Sequence, residues 1–86
     1  MDVSEQIRAF IADRFLFDAN AKVDPAQSLM QSGILDSTGA MELVLFLEST
    51  FSIRIADAEL VPQNLDSINS IAAFVQKKRG AAAGAR

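Results

Sequence analysis

The sequence predicts an all-α fold, a small four-helix bundle of three main helices and one short one. Three observations carry this prediction. Apolar residues recur at three- and four-residue spacing in three stretches, from about Val3 to Leu16, from about Ser37 to Thr50, and after Asp66-Ser67. Each stretch is preceded by residues suited to capping a helix, namely Asp2, Asp36 and the Asp66-Ser67 pair. Only Ile53-Arg54-Ile55 alternates like a strand, and it is too short and isolated to build a sheet. The chain has 86 residues, half of them hydrophobic. That length suits one domain with a thin core, read here as residues 1–79 followed by a flexible tail over 80–86.

The first helix opens on Asp2, with Glu5 three residues on as in a capping box. Val3, Ile7, Phe10 and Ile11 share one face. Phe15, Leu16 and Phe17 extend the apolar run, and Arg14 interrupts it. Residues 18–33 read as a long connection, because Asn20, Asp24-Pro25 and Gly33 are turn formers. Val23, Leu29 and Met30 are its expected core anchors. A connection of this length in a small domain suggests a task, and here it delivers the chain to Ser37.

The second helix presents Ala40, Leu43, Val44, Leu47 and Phe51 on its core face, flanked by Phe46. Ser37, Met41, Leu45 and Glu48 form a different stripe, with Glu42 beside it. Two isoleucines pin the link at Ile53-Arg54-Ile55. One short helical turn is expected over Asp57–Val61, stopped by Pro62. Ile68, Ile71, Ala72 and Val75 mark the buried face of the last helix, with Phe74 at its margin. Lys77, Lys78 and Arg79 suit the negative end of its dipole, and Gly80 is the expected stop.

Composition narrows the chemistry. The chain has no Cys, His, Trp or Tyr, so no thiolate metal site, no imidazole base and no Ser-His or Cys-His pair exists. Asp57 and Glu59 are too few and too local to hold a metal. No catalytic residue is assigned. The net charge is −3 without a basic patch, a poor match to nucleic acid and a good one to partners with basic docking surfaces. No stretch approaches the ~20 apolar residues that span a bilayer. The acidic start, Met1-Asp2-Val3-Ser4-Glu5, lacks the basic beginning of a signal peptide. A cytoplasmic monomer is the simplest expectation.

The most informative segment is Gly33-Ile34-Leu35-Asp36-Ser37-Thr38-Gly39. Simple helix capping explains Asp36, Ser37 or Thr38 taken one at a time. Three cap-capable residues in a row exceed that need, and no Glu or Gln completes a capping box after them. Gly39 in the first turn is costly for a helix, by about 1 kcal/mol, and reads as room for another molecule to approach the backbone. Gly33 opens the opposite side. Met41 and Leu45 between Glu42 and Glu48 look like a docking surface, although a wide core face also accounts for Leu45. A hydroxyl with no base nearby fits a residue that is modified better than one that catalyses.

Gly33-Ile34-Leu35-Asp36-Ser37 followed by Glu42-Leu43-Val44 resembles the acyl, peptidyl and D-alanyl carrier proteins, and the likeness spans roughly Val3 to Lys78. It includes Phe51, Ile53-Arg54-Ile55 and Asp66-Ser67-Ile68. The resemblance implies an acyl-carrier-protein-like bundle that carries covalent 4′-phosphopantetheine, attached from coenzyme A to the serine after the aspartate, here Ser37. It also implies that cargo rides on the arm as a thioester. Asp36 is then the residue expected to contact the phosphopantetheinyl transferase or its metal ion, while Thr38, Met41, Glu42, Leu45 and Glu48 face partner enzymes. Those partners would be the transferase, an acyl- or aminoacyl-loading ligase, and a downstream acyltransferase or synthase. Thr38 departs from the leucine usual in fatty-acid carriers, and the lead-in is closer to D-alanyl and other discrete aminoacyl carriers. The competing reading is a small helical interaction module with no prosthetic group, for which Met41 and Leu45 alone would matter.

Overall fold

The structure, a computed structural model, describes residues 2–84 of the chain. Its elements in order are α1 (Val3–Phe15), α2 (Ser37–Phe51), a 3-10 turn (Asp57–Glu59), α3 (Pro62–Leu65) and α4 (Ile68–Gly84). There is no strand among the described residues. The helical bundle expected from periodicity is the observed architecture.

Helix α1 begins where Asp2 accepts the Glu5 N–H at 2.8 Å. It ends at Phe15, because Phe17 takes the left-handed backbone region at φ 55°. The Ala12 carbonyl then accepts both the Leu16 and Asp18 N–H groups at 3.1 Å. Phe17 is 89 % exposed, so the apolar run of the sequence leaves the core at that residue.

Helix α4 is the hub, packing on α1, α3 and α2. The innermost side chains are Ile7, Ile11, Leu29, Leu43, Leu47, Ile68, Ile71 and Val75. No polar side chain is buried among the described residues, so burial of apolar surface alone drives this interior together. Phe74, placed at the margin by periodicity, is inside the core. Ala40 and Phe10 are only partly buried.

Helices α1 and α2 run antiparallel along a shared seam. Phe15 lies against Gly39, Arg14 pairs with Glu42, and Phe10 stacks on Phe46 with ring centroids 4.1 Å apart. Edge-to-face contacts of Phe10 with Phe15 and of Phe46 with Phe51 extend the aromatic row.

The connection between α1 and α2 has no helix of its own, as expected, and is held at several points. Arg8 donates to the Ala21 carbonyl at 2.6 Å while pairing with Glu5. Asp66 receives the Ser28 hydroxyl at 2.6 Å and the Met30 N–H at 3.0 Å, and its carbonyl receives the Leu29 N–H. Val23 and Leu29 are buried. Met30 is 46 % exposed, contrary to its expected role as an anchor, because the turn over residues 29–33 sends neighbouring side chains in different directions. Gly33 turns at φ 80° with open space around it, which glycine tolerates freely.

Two further expectations are corrected. A helical turn forms at Asp57–Glu59, as expected, but Pro62 is not its stop, and the short α-helix lies at Pro62–Leu65. Pro62 opens it at the first helical position, where its missing N–H costs nothing. Helix α4 continues through Gly80 to Gly84. Gly80 has no positive φ and so makes no left-handed stop, and Ala81-Ala82-Ala83 are strong helix formers. The last two residues of the tail expected over 80–86 lie outside the described residues.

Candidate functional site

The site is built on the first turn of α2. Asp36 has extended backbone and caps the helix, its Oδ1 accepting the Gly39 N–H at 2.7 Å. Its carbonyl accepts the Ala40 N–H at 2.8 Å. Ser37 is therefore the first residue with helical backbone, and it is exposed. Among the described residues, no hydrogen bond engages the Ser37 hydroxyl, the Ser37 and Thr38 N–H groups, or Asp36 Oδ2. A free hydroxyl thus stands beside unpaired N–H groups at the positive end of a helix dipole, a setting that favours a phosphodiester.

Gly39 has a different role from the one its residue type suggested. It is buried, and a Cβ there would lie 2.9 Å from Phe15 Cε1 and 3.3 Å from both Asp36 Oδ1 and Leu35 Cδ1. Its small size brings the start of α2 against the end of α1 and fixes the site from behind. Gly33 keeps the openness expected of it.

The stripe leading from Ser37 is exposed as predicted, with Met41 53 % and Leu45 62 % accessible and Thr38 also exposed. Leu45 is therefore not core. The two acids of the stripe are partly engaged within the chain. Glu42 accepts from Arg14 at 2.7 Å, and that hydrogen bond holds its carboxyl below the usual carboxylate value. Glu48 Oε2 accepts the Ile55 N–H at 2.9 Å, tying α2 to the link after it. A surface groove of about 490 Å³ runs along the seam beside them, lined by Phe10, Asp13, Arg14, Glu42, Leu45 and Phe46.

Sequence reasoning missed two residues that shape this site. Arg14 was only an interruption of the apolar stripe, yet it neutralises Glu42. Asp66 was read as a helix cap. Ser67 does that work, its Oγ accepting the Ser70 N–H at 3.1 Å, and Asp66 anchors the loop ahead of Ser37 instead. No local pattern signals a contact between residues 38 apart in the chain. No group of three or more potential metal ligands occurs among the described residues.

Comparison with known proteins decides what this geometry is for. The family model described as "Phosphopantetheine attachment site" matches residues 5–75. A D-alanyl carrier protein of Streptococcus suis (strain 98HAH33) is 35% identical over 71 residues, covering 83% of this chain and 87% of that protein. One from Streptococcus thermophilus (strain ATCC BAA-491 / LMD-9) is 33% identical over 81 residues, covering 94% and 100%. The chain belongs to the phosphopantetheine carrier proteins. The carrier bears its acyl or aminoacyl cargo on covalent 4′-phosphopantetheine and is not itself an enzyme. The reading as an interaction module without a prosthetic group gives way to this one.

When bound, the group supplies a thiol on a long arm, which takes up a carboxylic acid as a thioester. The residues present fit it. The exposed hydroxyl, the capped helix start and the unpaired N–H groups accommodate an anionic ester without displacing any internal contact. A carrier of this family implies partner enzymes such as a transferase and a ligase. No helix among the described residues is long and apolar enough to cross a membrane.

Proposed function

We propose that Ser37 is the residue that carries 4′-phosphopantetheine, and that residues 1–79 act as one carrier unit for a small aminoacyl cargo. The observation that supports this most strongly is the free, exposed Ser37 hydroxyl at the first position of α2, beside the capping Asp36. Asp36 uses one carboxylate oxygen as the cap, which leaves the other for the transferase or its metal ion. Thr38, Met41 and Leu45 offer the partner an apolar and hydroxyl face, and Glu42 and Glu48 supply its acidic edge. D-alanine is the favoured cargo, because the relatives are named D-alanyl carrier proteins over nearly the whole chain. An adenylating ligase would load it and a downstream acyltransferase would remove it. We place the carrier in the cytoplasm as a monomer that binds no nucleic acid.

The test is an intact mass after incubation with coenzyme A and a promiscuous phosphopantetheinyl transferase. Wild type gains one phosphopantetheine and Ser37→Ala gains none. A gain that survives Ser37→Ala overturns the assignment. Incubating the holo carrier with ATP and a D-alanine-activating ligase then tests the cargo. A mass increase with D-alanine and none with a fatty acid is the expected result.

A further inference from the structure

The left-handed turn at Phe17 ends α1, but folding does not explain why an exposed phenylalanine makes it. Its backbone occupies the left-handed region at φ 55°, where a bulky side chain is disfavoured and glycine is at ease. Its ring is 89 % exposed, so no burial offsets the strain. Strain held without a packing return is a mark of function.

Its position suggests which function. Phe17 lies two residues beyond Phe15, whose ring meets Gly39 at the start of α2. Because α1 and α2 are antiparallel, the end of α1 and the attachment site share one end of the molecule. Among the described residues, the other exposed large hydrophobics belong to this neighbourhood or lead from it. Met41 and Leu45 follow Ser37 along α2. Met30 lies on the loop that closes on Leu35, whose N–H donates to the Leu29 carbonyl at 3.0 Å just ahead of Ser37.

We propose that Phe17 is a recognition residue for the phosphopantetheinyl transferase, seated in an apolar pocket of that enzyme while Ser37 is modified. This rests on the reading of Ser37 as the attachment residue. The transferase is the occupant the geometry favours, because it must bring its reacting atoms to the Ser37 Oγ itself. Enzymes that load or unload the cargo meet a thiol at the far end of a long arm and can stand further off. Exposed Asp18, next to Phe17, and Asp36, next to Ser37, call for basic residues at the rim of that pocket.

The decisive variant is Phe17→Gly, because glycine relieves the backbone while removing the ring. Modification kinetics with coenzyme A and a transferase are followed by intact mass, alongside thermal melting. The expected result is a KM for the carrier raised about tenfold, the loss typical of an interface aromatic, with kcat within about twofold of wild type. The melting temperature should match wild type or rise by up to about 5 °C. An unchanged KM overturns the proposal, and so does a lower melting temperature, which would make Phe17 a structural residue. Failure of the underlying reading looks different: wild type itself gains no mass, or Ser37→Ala still does.

Discussion

Asp36 carries two roles that one substitution would confuse and two can separate. Its Oδ1 caps α2 through the Gly39 N–H. Asp36→Ala loses that cap, at a cost of about 1 kcal/mol, and should lower the melting temperature by about 4–8 °C. Asp36→Asn keeps a capping oxygen and removes the charge. We expect it to melt near wild type and to lose at least about tenfold in modification rate, since hydrogen bonds to charged groups run to about 1.5–3 kcal/mol. Equal rates for Asp36→Asn and wild type would confine Asp36 to capping. At this scale the sequence was legible where a residue acts on its immediate neighbours, as with the caps Asp2, Asp36 and Ser67. It misled at Gly39, where residue type suggests open space and the tertiary contact with Phe15 supplies the opposite.

The stretch from Ser28 to Met30 ahead of α2 is clamped by a distant carboxylate. Asp66 receives Ser28 and Met30 across 38 and 36 residues of sequence. Asp66→Ala should cost about 1–3 kcal/mol and speed amide exchange at Met30 and Gln31 while leaving α1 protected. Exchange that accelerates uniformly, or not at all, would show that the loop does not depend on this clamp. The three long helices were legible because each buries one periodic face. The rest of the element map depended on backbone detail that periodicity does not carry. Pro62 serves as a helix start and Gly80 as a helix interior, because φ decides both and the residue type only permits them. Met30 faces solvent although it is as apolar as its buried neighbour Leu29.

Across the whole molecule, the acidic surface is coupled to stability through pairs at the surface. Arg8 holds the Glu5 carboxyl below its ordinary value of 4.5, and Arg14 does the same for Glu42. The Ala56 N–H, assisted by Lys78, lowers Glu59. Each group is ionised more readily when folded than when unfolded. Their contribution is thus complete above about pH 4.5 and is lost as pH falls below it. The urea midpoint should be level from neutral pH down to about pH 5 and then decline. Glu59→Gln should make that decline shallower, and an unchanged decline would remove Glu59 from the account. Because these pairs lie at the surface and are only partly covered, the whole effect should be modest and weakened by salt.

The central claim concerns one oxygen atom, the Ser37 hydroxyl, on a carrier with another hydroxyl next to it at Thr38. Fragment-ion mass spectrometry of the holo protein tests it most directly. The account predicts that the phosphopantetheine mass first appears between the fragments ending at Asp36 and at Ser37. Its appearance only after Thr38, or at any other serine, would contradict the account.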